Sequence, residues 1–243
     1  MLRARKVIAL AALLTFAGLI IAASKLPSPG GGERKLGLWA LLLPLAVTFL
    51  GLARNRYWAR WLGLAAGIAV LPWAAVLTLA TGYGAPLTQP AVALAASLLL
   101  LMSLPGKNMF DAYEGRVTNM DWSGRHMSLV RWTVIFNIAS TLALYLFVVF
   151  YDYRIAWHHI SMAALLAGLV IGVVLLARQR TIGLLIVALC CVCFVPLGAY
   201  FVWTEATDAG EAILFAVVFA PGILTGWASL LTFWKPLWAA IRA

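Results

Sequence analysis

The sequence predicts an all-α integral membrane protein with eight transmembrane helices. Three observations carry that prediction: apolar runs of crossing length, basic residues gathered on alternate connections, and tryptophans near the ends of the runs. The 243 residues are 64% hydrophobic and 11% charged, with mean hydropathy +0.98. A soluble domain carries about 25% charged residues, so this chain has too little polar surface to face water all round. A bilayer core of about 30 Å takes roughly 20 apolar residues per helical crossing. Runs over 6–24, 37–53, 60–81, 86–104, 130–150, 157–177, 181–204 and 211–233 meet that need and use up most of the chain.

Orientation follows from the basic residues. With the N-terminus inside, fourteen of the eighteen Lys and Arg fall on cytoplasmic stretches. The outer stretches keep only Lys25, Arg34, Lys35 and Arg154. Lys and Arg resist translocation, so the side that holds them is the cytoplasmic side. Both termini are therefore expected in the cytoplasm, and a bacterial chain of this kind belongs to the inner membrane. Five of the eight acids (Glu33, Asp152, Glu205, Asp208, Glu211) fall outside. Trp39, Trp58, Trp61, Trp132, Trp157, Trp203, Trp234 and Trp238 lie near span ends, where an indole sits well at headgroup level.

The net charge of +10 is scattered in ones, twos and threes at helix ends, unlike a phosphate-binding patch. No nucleic-acid partner is expected; the bilayer itself is the expected partner. The start, Met1–Lys6 followed by an apolar run and Ala22-Ala23-Ser24, imitates a signal peptide. Its apolar run of about 17 residues exceeds the 7–15 of an h-region, so a retained anchor is expected. Cleavage would leave seven helices and an outside N-terminus.

The chain also repeats itself. Leu52-Ala53-Arg54-Asn55-Arg56 returns 124 residues later as Leu176-Ala177-Arg178-Gln179-Arg180. Pro72 returns as Pro196, and Ala40-Leu41-Leu42 as Ala164-Leu165-Leu166, at the same offset. Chance matching of Leu/Ala-rich helices is the alternative, but a basic loop and a proline are not generic. The expected organisation is a first four-helix half (1–104), a cytoplasmic linker (105–129) and a second half (130–243). Each half returns to its starting side, giving a parallel repeat like those of some transporters. Proline removes a backbone N–H and kinks a helix. Pro72, Pro196 and Pro221, with Pro44, are thus candidates to line a central cavity, or else plain kinks.

Within the linker, Met109, Phe110, Tyr113, Val117 and Met120 occupy one sector of about 100° at helical spacing, with Lys107, Asp111, Glu114 and Thr118 opposite. Such a helix over 107–120 is expected to rest on the inner leaflet, or to dock a membrane or cytosolic protein partner.

Residues able to carry chemistry are few. No ionisable residue lies deep in a span, which argues against a proton relay. Asn137, Ser140 and Thr141 form the most polar intramembrane cluster, suited to substrate contact or to helix-to-helix hydrogen bonding. Cys190, Cys191 and Cys193 read as buried small apolar residues, although thiolates suit a soft metal. Asp152, His158 and His159 on the outer side are the candidates for a catalytic or divalent-metal group; a solvated outer rim is the plainer account. Catalytic and cofactor-binding signatures are absent from the sequence, and no cofactor is expected. The expected function is non-enzymatic, as a permease-like protein or a subunit of a membrane complex. A lipid-modifying enzyme using the outer group, or an immunity protein binding a membrane-active partner, is the alternative.

Overall fold

The structure, a computed structural model, describes residues 2–25, 31–80, 88–114, 125–150, 156–177 and 181–205, with 209–210, 212–213 and 234 beyond them. These residues are helical or in short connections, with no strand among them. The helices are α1 (Leu2–Lys25), α2 (Gly31–Ala53), α3 (Tyr57–Ala80), α4 (Thr88–Ser103), α5 (Lys107–Tyr113), α6 (Arg125–Phe150), α7 (Ala156–Ala177) and α8 (Thr181–Glu205). Seven coincide with expected spans to within a few residues. The eighth, 211–233, lies outside the described residues apart from 212–213, and Pro221 lies outside them with it.

Among the described residues, two helices are long and apolar enough to cross a membrane, Leu2–Lys25 and Lys35–Ala53. The α4–α5 pair, bent by 78°, makes a third if it counts as one span. Pro44, Pro72 and Pro196 all sit inside continuous helices, α2, α3 and α8.

Helices α1 to α4 close into a ring, with α1 on α2 and α4, and α3 on α2 and α4. Helix α3 also carries α6, which packs on α7, and α7 packs on α8. Between apolar helices in lipid, close van der Waals fit replaces the hydrophobic drive, so small residues mark the interfaces. Helix α3 shows this: Ala59, Ala65, Ala66, Ala69 and Ala74 are all buried. Its Gly63 and Gly67, four apart, receive Leu104, Leu100 and Leu101 of the α4 region. The Ser97 hydroxyl of α4 donates to the Gly67 carbonyl. On α7, Gly168 and Gly172 admit Cys190, Val187 and Ile186 of α8 in the same way. Both are Gly-x-x-x-Gly pairs.

The packing bears on the repeat in two ways. The order α1–α2–α3 recurs as α6–α7–α8 with neighbours in contact. A two-fold relation would also pair the α3–α6 interface with one between α8 and α1. No comparable α1–α8 contact occurs among the described residues.

Of the tryptophans expected at headgroup level, Trp39, Trp132, Trp203 and Trp234 are exposed, but Trp61 is buried. Its ring meets Tyr57 edge-on at 5.5 Å. Trp61 lies in the first turns of the helix that most neighbours cover, so it faces protein where a peripheral helix would face headgroups.

Candidate functional site

Local structure at the N-terminal end of the bundle begins with helix ends. The last turn of a helix leaves carbonyls without intrahelical partners. At α2 they are met by a Schellman turn: Asn55 adopts φ 53, Asn55 N–H donates to Leu52 O (3.2 Å) and Arg56 N–H to Gly51 O (2.8 Å). Lys6 Nζ then donates to Ala53 O and to Asn55 Oδ1, each at 2.8 Å. At α4, Arg5 Nη2 donates to Met102 O (2.9 Å) and to Pro105 O. Arg60 Nε donates to Leu104 O at 2.9 Å. Cations at helix C-termini are favoured by the macrodipole. Basic residues that read as topology markers thus also cap two helices.

Pro105 stops α4, and Gly106 turns the chain into α5 with φ 106 and ψ 155, a conformation open in practice only to glycine. A Cβ there would also fall 3.0 Å from Arg5 Nη1. The turn folds α5 beneath the bundle, where Met109 and Tyr113 are buried. Tyr113 Oη donates to Leu52 O at 3.1 Å. Burial pushes the Tyr113 hydroxyl above its ordinary pKa, against a smaller opposing pull from Arg60.

Of the helix expected to rest on the inner leaflet over 107–120, residues 107–114 are described. The helix ends at Tyr113, and its apolar sector packs on the chain's own helices. Met109 and Tyr113 are thus covered, whereas Val117 and Met120 of the expected sector lie outside the described residues. The 78° elbow brings Met109 and Tyr113 against protein.

Glu114, placed by periodicity on the polar side, is instead fully buried. Its Oε1 accepts from Arg60 Nη1 of α3 and its Oε2 from Arg131 Nη1 of α6 at 3.2 Å. Arg131 Nη2 also donates to Ser128 Oγ at 3.2 Å. The Phe110 ring lies under both guanidiniums, 5.9 Å from Arg60 Cζ and 5.3 Å from Arg131 Cζ. One carboxylate, at the cap just past α5, therefore ties α3 to α6. Sequence reading missed this triad because its members lie far apart in the chain. Only the odd position of an acid among inside basic residues hinted at it.

The second feature is a cavity of about 90 Å³ between α1, α2, α3, α4, α6 and α7. Phe16, Pro44, Ala66, Ala69, Ile138 and Leu142 are typical of its wall. Gln89 and Thr48 are its polar lining residues, and Thr48 Oγ1 is occupied by Pro44 O at 2.6 Å. No titratable side chain lines it among the described residues.

The expected site residues distribute as follows. Pro44 lies on the cavity wall, whereas Pro72 is half-buried off it and Pro196 is exposed. Asn137 is buried beside the wall residue Ile138 without lining the cavity, and its carbonyl accepts from Thr141 Oγ1 at 2.8 Å. His158 and His159 fall in the first turn of α7, and Asp152 lies outside the described residues. Cys190 is buried and Cys193 exposed. No group of three His, Cys, Asp or Glu able to hold a metal occurs among the described residues. Comparison with known protein families, curated proteins and solved structures finds no match.

Proposed function

We propose that the chain is a non-enzymatic, permease-like membrane protein whose cargo is apolar. It crosses the bilayer eight times, through α1 to α4, α6 to α8 and 211–233, with both termini and α5 on the cytoplasmic side. The observation that carries the reading is the cavity wall, apolar side chains from six helices with no titratable lining group among the described residues. A path for ions or polar solutes needs fixed polar groups to replace lost water; an apolar molecule needs only space and contact. The 124-residue offset and the recurring helix order support two four-helix halves as the framework, joined by the Glu114 tie; the lack of a comparable α1–α8 contact among the described residues speaks against a closed two-fold between them.

The test is occupancy. A photoreactive fatty acid, added to the protein in lipid nanodiscs, should label cavity segments 62–70 and 138–146. Ala69→Phe, which fills the space, should abolish that labelling while leaving insertion intact. Labelling confined to exposed positions such as Leu43 and Leu99, unchanged by Ala69→Phe, would reject an apolar cargo.

A further inference from the structure

We propose that the elbow between α4 and α5 is a binding site for a phosphate group, such as the headgroup of an anionic phospholipid. The argument begins with charge. Arg60 and Arg131 share one carboxylate, Glu114, and their side chains are only 7% and 15% exposed. Arg5 is placed on the same last turn of α4 as Arg60: Arg5 takes Met102 O and Pro105 O, and Arg60 takes Leu104 O. Arg60 and Arg131 thus share one carboxylate, and Arg5 stands beside Arg60 at the same helix end with no acid of its own among the described residues. The other acid described at this end is Asp111, exposed on α5 and in no ion pair among the described residues.

Among the described residues, two positive charges therefore lack a paired acid in a partly dehydrated place. A cation withdrawn from water is costly unless an anion accompanies it. Backbone carbonyls supply dipoles to these arginines but no net charge. Arg5 is only half-buried, and its Nε and Nη1 make no hydrogen bond among the described residues. Nη2 is held by the two carbonyls and Nε–H points to the Nη2 side, so Nη1 is the donor left to meet a single phosphate oxygen. Gly106, without a Cβ, leaves Nη1 uncovered; a side chain there would meet it at 3.0 Å.

Depth selects the ligand. On the topology proposed above, α1, α3 and α6 all start at the inner leaflet, so Arg5, Arg60 and Arg131 lie at headgroup level. Exposed Arg3, Arg54, Arg56 and Lys107 surround them and raise the local anion concentration. A general surface attraction of this kind contributes about 1 kcal/mol per basic residue and is screened beyond a Debye length. A built site differs because short charge-assisted hydrogen bonds survive salt.

The experiment is native mass spectrometry of the full chain released from nanodiscs of mixed phosphatidylcholine and phosphatidylglycerol. At 1 M salt, where the screening length is about 3 Å, the wild type should retain one phosphatidylglycerol in preference to phosphatidylcholine. Arg5→Gln should lower that preference about tenfold to a hundredfold, the range of a lost charged hydrogen-bond pair. Arg54→Gln, the same charge change on the same face, should leave it unaltered at 1 M salt. Equal effects of the two variants on a retained phosphatidylglycerol would overturn the proposal. The wild-type result decides alone if Arg5→Gln does not fold. A second arm adds millimolar inorganic phosphate to protein in phosphatidylcholine alone. Arg5-dependent thermal stabilisation would mark soluble phosphate as the ligand source, while retained lipid without it would mark the headgroup. Neither signal in either arm rejects the site.

Discussion

Removing the Glu114 carboxylate should destabilise the protein more than any other single change at this end of the bundle. The side chain is 0% exposed and faces Arg60 and Arg131, themselves 7% and 15% exposed. In Glu114→Ala both cations stay in place without their shared partner. An exposed ion pair contributes at most about 1 kcal/mol, but breaking a buried one costs about 3–5 kcal/mol, because the remaining charge is stranded. Low exposure puts this triad in the second class; the longer, more solvated Arg131 contact (3.2 Å) keeps the expectation within that range despite two stranded cations. For a chain of this length the loss corresponds to a fall in melting temperature of about 2–4 °C per kcal/mol. The assay is thermal unfolding in nanodiscs at fixed lipid composition. A triple Met variant, Arg60→Met with Glu114→Met and Arg131→Met, should melt much closer to the wild type, since apolar replacement of a whole buried ion group is often neutral. If Glu114→Ala melts within about 1 °C of the wild type, the triad is solvated and the reasoning fails.

Four further outcomes are expected. Gly106→Ala should cost about 1–3 kcal/mol, read by the same melts, because φ 106 with ψ 155 is open in practice only to glycine. Tyr113→Phe should cost about 1 kcal/mol through its lost bond to Leu52 O. Because the folded-state pKa of Tyr113 is raised, its neutral form contributes stability in full below the unfolded value of about 10. That contribution is lost as pH rises through the folded value, so the wild type should weaken at alkaline pH more than Tyr113→Phe does. Reporter fusions should place 24–36, 151–157 and 204–211 outside; a fusion after Ala243 active only on the outside would refute the orientation. The variant Asp152→Ala, His158→Ala, His159→Ala should insert normally and leave photoreactive fatty-acid labelling of the cavity unchanged; loss of that labelling would show that the outer group serves the cavity.

The helical class and the bounds of seven helices were legible in the chain because each depends on local composition. Twenty-odd apolar residues ended by Arg54-Asn55-Arg56 or by Pro105-Gly106 can do little else. The glycine pairs Gly63/Gly67 and Gly168/Gly172 were equally available as a local spacing, though which helix each admits was not. Tertiary structure decided the rest. Amphipathic periodicity distinguishes an apolar face from a polar one, but it cannot tell a lipid surface from a protein surface, and it assigns every acid to the polar side. Glu114 is buried because Arg60, 54 residues before it, and Arg131, 17 after it, reach it from two other helices. Trp61 turns inward for the related reason that α3 is surrounded by its neighbours. Burial of a charge depends on which partners the fold brings within hydrogen-bond reach, and that is a property of packing that no one segment of the sequence contains.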